Sequence, residues 1–173
     1  MKLLLMTLFL VLLTGCSAVD IQRYEANTPK LDLHNYFEGR TKGWGIVQDR
    51  KGIVTRQFKV DIVGSVGSDG SLTLAEKFDW SDGEQSERTW VISKDGEHKL
   101  TGVADDVSGR AQGEAYGNVL NWQYYLDIEV DGTSWNIKLD DWLFLLSDEL
   151  LLNKASMYKF GLKVGEVTIV FLK

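Results

Sequence analysis

The stretch from Leu120 to Val130, LNWQYYLDIEV, constrains the fold more than any other part of the chain. Leu120, Trp122, Tyr124, Leu126, Ile128 and Val130 fall on one face, and Asn121, Gln123, Tyr125, Asp127 and Glu129 on the other. A period of two is the mark of a half-buried strand, whose successive side chains point to opposite faces. Val54, Phe58, Val60 and Ile62 oppose Thr55, Gln57, Lys59 and Asp61 in the same way. Asp-Gly pairs stand at 69–70, 82–83, 95–96 and 131–132, and supply the positive φ angles of tight hairpin turns. Lys51-Gly52, Gly117-Asn118 and Ser147-Asp148 are further turn signals. Strands separated by such short turns are antiparallel neighbours.

This punctuation predicts an all-β domain of about eight to ten strands between Thr41 and Lys173. A meander of that length leaves costly open edges unless it curls into a closed up-and-down barrel. Six Trp, six Tyr, seven Phe and seventeen Gly with a single Pro suit such a fold. Leu31 to Gly39 reads as one short helical turn ahead of the barrel. Trp142–Leu146 and Leu150–Leu152 are apolar on both faces, which fits fully buried strands or a buried helix; we read them as strands.

Alternation alone fits a barrel with an apolar inside or one with an apolar outside. The charges that interrupt the apolar faces favour the first. Arg56 is in phase with Val54 and Phe58, Glu76 with Leu74, Phe78 and Trp80, Arg88 with Trp90 and Ile92, and Asp141 with Ile137, Leu139 and Leu143. A basic residue facing lipid at the membrane midplane costs about 2–4 kcal/mol. Inside a barrel the same charges can pair with one another or meet a ligand.

The chain opens MKLLLMTLFLVLLTGC. The run from Leu3 to Leu13 carries no charge and is too short for the roughly 20 residues of a membrane-spanning helix, but it suits a secretory signal. Leu13-Thr14-Gly15-Cys16 resembles a bacterial lipobox, which implies that Cys16 becomes the first mature residue and is acylated. Two or three acyl chains on one cysteine meet the requirement for stable anchoring. Ser17 in place of Asp implies the outer membrane by the same resemblance. The expected division is a signal peptide over 1–15, an acylated Cys and tether over 16–30, and the barrel over 31–173.

Net charge is −6, which argues against nucleic acid as a partner. Cys16 is the sole cysteine, so no internal disulfide can form and the core must carry stability. His34 and His98 stand far apart without ligand spacing and read as turn or surface residues, so neither a metal nor a cofactor is expected. The chain has no Gly-x-Ser-x-Gly elbow and no phosphate-binding glycine loop. Asp105-Asp106 and Asp140-Asp141 are sequence neighbours, and strand neighbours point apart, so neither is a carboxylate dyad by itself. From Gly109 to Gly117 every second residue is small. That pattern means either close packing beside a neighbour's aromatics or cavity volume next to Trp122 and Tyr124.

Two resemblances follow. Gly43-Trp44-Gly45 after a short helix is similar to the Gly-x-Trp signature of lipocalins. WGIVQDRKGIVTRQF, WSDGEQSERTW, ADDVSGRAQGEAYGNVLNW, DDWLF and NKASMYKFGLKVGEVT resemble a family of proteobacterial lipoproteins catalogued only as a domain of unknown function. That likeness implies a lipocalin-like fold and an envelope location, and it carries over no catalytic or binding residues.

The expected function is a membrane-tethered barrel facing the periplasm that holds a small hydrophobic or amphipathic ligand, such as a fatty acid or lipid. Arg56, Glu76, Arg88, Trp122, Tyr124 and Asp141 are its candidate ligand-binding residues. The alternatives are an envelope assembly lipoprotein with a filled barrel and a protein partner, and an enzyme on a lipocalin-like scaffold. A void inside the barrel separates the first two; a buried, convergent acid–base pair favours the third.

Overall fold

Ten antiparallel strands follow one another around a closed ring. They are β1 (Gly39–Asp49), β2 (Val54–Val66), β3 (Leu72–Trp80), β4 (Gln85–Lys94), β5 (Lys99–Val103), β6 (Val107–Tyr116), β7 (Val119–Val130), β8 (Thr133–Leu145), β9 (Leu150–Lys159) and β10 (Leu162–Leu172). The computed structural model describes residues 19–130 and 132–173. The predicted signal peptide, Cys16 and Asp131 lie outside the described residues. β1 closes the ring against β10, from Lys42 opposite Leu172 to Asp49 opposite Gly165. Every strand is thus paired on both sides, which removes the open edges a long meander would leave. The ladder closes within the described residues, and its core runs from Leu31 to Phe171.

The apolar faces turn inward. Phe58, Val60, Ile62, Leu72, Leu74, Trp90, Ile92, Leu120, Trp122, Ile137, Leu139 and Leu151 are all buried. Lys59, Asp61, Lys77, Asp79, Glu87, Glu114 and Lys154 face out. The glycines of the Asp-Gly pairs have φ between 74° and 92°, as tight turns demand. Val54 departs from its expected face and is exposed, because the pairing of β1 with β2 shifts register between Val47 and Gln48. Trp44 also lies outside, while its neighbour Gly45 faces inward beneath the ring of Phe58.

A short helix, α1 (Leu33–Phe37), plugs one end of the ring. Asp32 caps it by accepting hydrogen bonds from the backbone of His34 and Asn35 at 3.0 and 3.3 Å. Phe37 stands edge-on to Phe171, with centroids 5.5 Å apart. The Tyr36 hydroxyl reaches the carbonyls of Glu149 and Phe171 at 3.0 and 3.1 Å. Gly64 allows this seat. A Cβ there would stand 1.9 Å from the Phe37 carbonyl oxygen.

The stretch expected as a tether is docked from Ile21 onward. Ile21–Tyr24 form a 3-10 turn with Ile21 buried. Tyr24 packs edge-on against Trp142 and Phe144 on the outer face of β8, with centroids 6.4 and 6.3 Å away. Asn27 donates to the Asn118 side chain at 3.1 Å, and the Leu31 amide to the Gly117 carbonyl at 2.8 Å. This explains why Trp142–Leu146 is apolar on both faces. Through Leu145 it is a strand, with Leu143 and Leu145 in the core and Trp142 and Phe144 covered from outside by the N-terminal segment, while Leu146 lies exposed beyond the strand end.

Candidate functional site

Between the plug and the opposite end lies a cavity of about 650 Å³. Its wall is mainly apolar and includes Phe58, Phe78, Trp80, Trp90, Leu120 and Leu139. All six residues chosen from sequence line it: Arg56, Glu76, Arg88, Trp122, Tyr124 and Asp141. Alternation is sufficient reason, since each occupies an inward position on its strand. The cavity answers the question left by the small-residue stripe. Trp122 lies over the stripe, and a Cβ on Gly113 would stand 2.4 Å from its ring. Gly102 on β5 receives the far edge of the same indole. The stripe therefore packs against one side of the tryptophan, and the open volume, which Trp122 and Tyr124 also line, does not reach the stripe itself.

Arg56 sits near the open end. Its Nη2 donates to Asp82 at 2.9 Å and Glu84 at 2.8 Å, and its guanidinium lies 4.0 Å from the Trp80 ring centroid. Deeper in the wall, Arg88 donates to both oxygens of Asp106. The distances are 3.0 and 2.9 Å from Nε and 2.7 Å from Nη2. Burial opposes the Arg88 charge, but the surrounding Tyr124, Glu76 and Asp106 outweigh it and hold the guanidinium more firmly charged than in water. Asp106 was not among the residues chosen from sequence. It lies in the loop between β5 and β6, where no period applies, and no local signal marks it.

Glu76 and Asp141 contrast with these pairs. Glu76 lies opposite Arg88 in the ladder, yet Asp106 takes the Arg88 donors. Among the described residues Glu76 accepts no hydrogen bond, and burial raises its pKa to about 7, with Arg88 lowering it and Asp106 raising it. Asp141 is buried on β8. Burial raises its pKa to about 7 as well, although Asn153, Arg88 and Tyr124 favour the ionised form. The Tyr124 hydroxyl is 3.5 Å from Asp141 Oδ2, at the limit of a hydrogen bond. Oδ1 of Asp141 has no partner, and neither has Oδ1 of the adjacent buried Asn153. Tyr124 is raised well above its ordinary value by burial and by Asp141.

The histidines stand apart from this cluster. His34, expected as a turn or surface residue, is buried in α1, and burial together with Lys94 lowers its pKa. His98 stacks on Tyr116 at 4.1 Å. Among the described residues no group of three or more His, Cys, Asp or Glu side chains could hold a metal ion.

A closed ring of ten strands, plugged at one end and hollow inside, is an up-and-down β-barrel that resembles the lipocalin-like scaffolds. Within that class the chain belongs to the family described as a protein of unknown function, DUF3833, which matches residues 10–173. Two solved structures share the fold. One is a protein of unknown function from the DUF3598 family of Nostoc punctiforme, with a TM-score of 0.61 and 14% identity; it matches 86% of this chain, which spans about half (51%) of that protein. The other is the S-type phycobiliprotein lyase CPES from Guillardia theta, with a TM-score of 0.60 and 8% identity, covering 88% of this chain and 96% of that one. At such identity the likeness is one of fold. No curated protein matches the chain.

Proposed function

We propose that this chain is a lipoprotein, acylated at Cys16 and held at the outer membrane with its barrel facing the periplasm, and that the barrel binds a small hydrophobic or amphipathic ligand of fatty-acid or lipid size. The cavity is the observation that carries the binding role. About 650 Å³ of mainly apolar, aromatic-lined space with a few inward polar groups is the usual form of a small-molecule site. A filled barrel serving only assembly needs no such void. The Leu-Thr-Gly-Cys motif supports the anchor.

Native mass spectrometry of the chain purified from a bacterial envelope tests the binding role. A reproducible co-purified amphipathic mass supports it, and an empty barrel after exposure to envelope lipids counts against it. Labelling with a palmitate analogue tests the anchor. Cys16→Ser abolishes the label if Cys16 is the acylated residue, and undiminished label defeats that assignment.

A second reading rests on Glu76 and Asp141. Two carboxyls raised to about 7 on opposite sides of one cavity are poised for proton transfer at neutral pH. In that case the barrel is an enzyme that isomerises or hydrolyses its ligand. Ligand recovered chemically unchanged after long incubation argues for binding alone.

A further inference from the structure

The interior polar groups specify what kind of ligand head the cavity accepts. Its inward polar side chains include two arginines and four carboxylates: Glu76, Glu84, Asp106 and Asp141. Both arginines are already engaged, Arg56 by Asp82 and Glu84 and Arg88 by Asp106. A fatty-acid carboxylate entering the cavity meets no free cation on the wall and several negative charges.

The unmet demand is for donors. Glu76, Asp106 and Asp141 surround a single guanidinium, and Asp106 holds it with three contacts. Asp141 is 9% exposed, faces the cavity and leaves Oδ1 without a partner. A buried polar group normally has a hydrogen-bond partner, and the unsatisfied Oδ1 of Asp141, facing the cavity, marks a place for a donor from outside the chain.

Resting on the reading of the barrel as a binding site, we infer that its ligand is an amphipathic molecule with a cationic, N–H-bearing head, received by Asp141 and Glu76, with its apolar tail along the aromatic wall. The ammonium supplies a hydrogen bond to Asp141 Oδ1 and adds a second positive charge among three carboxyls. Charge-assisted hydrogen bonds to a desolvated carboxylate are the strong kind.

Acidity makes the inference more specific. An alkylammonium keeps its charge from pH 8 to pH 5, so any pH dependence in that range comes from the protein. The groups that face the head are Glu76 on β3, Arg88 on β4, Asp106 in the β5–β6 loop, Tyr124 on β7 and Asp141 on β8, with Asp140 acting on Asp141 from the outer side. Arg88 stays charged and Tyr124 neutral throughout. As Glu76 and Asp141 take up protons through about pH 7, the attraction for the ammonium fades.

The test uses decylamine, decanol and decanoate against residues 19–173, with binding followed by calorimetry at pH 8 and pH 5. Decylamine is expected to bind at least about tenfold more tightly than decanol at pH 8, and decanoate most weakly. The amine should lose most of that advantage at pH 5, while decanol changes little. Asp141→Asn and Glu76→Gln keep shape and volume, and each should shrink the amine-over-alcohol ratio severalfold without weakening decanol. Melting curves establish that each variant is folded. Decanoate binding as well as decylamine, or a ratio unmoved in both folded variants, overturns the cationic-head assignment and leaves the cavity reading intact. Failure of all three probes to bind overturns both.

Discussion

The two ends of the barrel are built from the same alternation and have opposite contents. At the closed end, α1 drives Tyr36 and Phe37 into the ring, and the inward positions of Leu72, Leu145, Leu151 and Phe171 join them in one buried apolar core. Toward the open end the inward positions include Arg56, Glu76, Trp80 and Arg88, and the strands enclose space instead of side chains. Period-two patterning fixes which residues point in; it does not fix whether they touch. Contact depends on what plugs the end and on how far opposite walls stand apart.

That contrast is open to attack in order of expected effect. Phe37→Ala removes a buried ring from the plug and should cost about 3–5 kcal/mol in denaturant unfolding. Phe78→Ala, on the cavity wall, only enlarges a space already present and should cost clearly less. Equal losses at the two sites would mean the open end is as tightly packed as the closed one.

Arg88→Met comes next. It leaves Glu76, Asp106 and Asp141 without their shared cation. Breaking a fully buried pair costs about 3–5 kcal/mol, but Asp106 is partly solvated, so about 2–3 kcal/mol is expected at pH 8. The loss should shrink as pH falls and the orphaned carboxyls take up protons. A loss independent of pH would show that packing, not charge, is what Arg88 contributes.

Asp141→Asn should act in the opposite direction. The Asp141 pKa rises from 3.8 to about 7 on folding, so the folded chain binds the proton more tightly than the unfolded chain does. The contribution of Asp141 to stability is therefore intact below the unfolded value and is lost as pH rises through about 7. The variant lacks this loss. It should match the wild type near pH 4 and exceed it by about 1–3 kcal/mol at pH 8. Equal stability at both pH values would show that Asp141 is solvated or partnered in solution.

The smallest effect belongs to the rim. The partners of Arg56 are more than half exposed, and its ion pairs lie at the open mouth. Arg56→Met should cost about 1 kcal/mol or less, part of it from the lost stacking on Trp80. A cost as large as that of Arg88→Met would erase the distinction between rim and interior.

Much of this was legible because local rules govern it. The Asp-Gly pairs located hairpins, since positive φ is a property of one residue and its turn. The phase of Arg56, Glu76, Arg88 and Asp141 placed all four on the cavity wall, since strand geometry alternates strictly. Where local rules stop, so did the reading. Val54 lies outside because a bulge interrupts the count. Trp44, in a context similar to the Gly-x-Trp signature, lies on the outside, a placement the resemblance did not specify. The residues around Tyr24 read as a tether because a single 3-10 turn has no period, and its docking depends on Trp142 and Phe144, more than a hundred positions away.

The sequence by itself determined the all-β class, the antiparallel order and the inward set of residues, because turn chemistry and the two-residue period act over a few neighbouring positions. Only the tertiary structure decided that the strands of the predicted barrel number ten, that α1 plugs one end, and that a cavity remains. It alone decided that Asp106, from a loop, takes the donors of Arg88 and so leaves Glu76 and Asp141 unmatched. Those outcomes depend on distances across the ring between residues remote in the chain, and no local pattern records such distances.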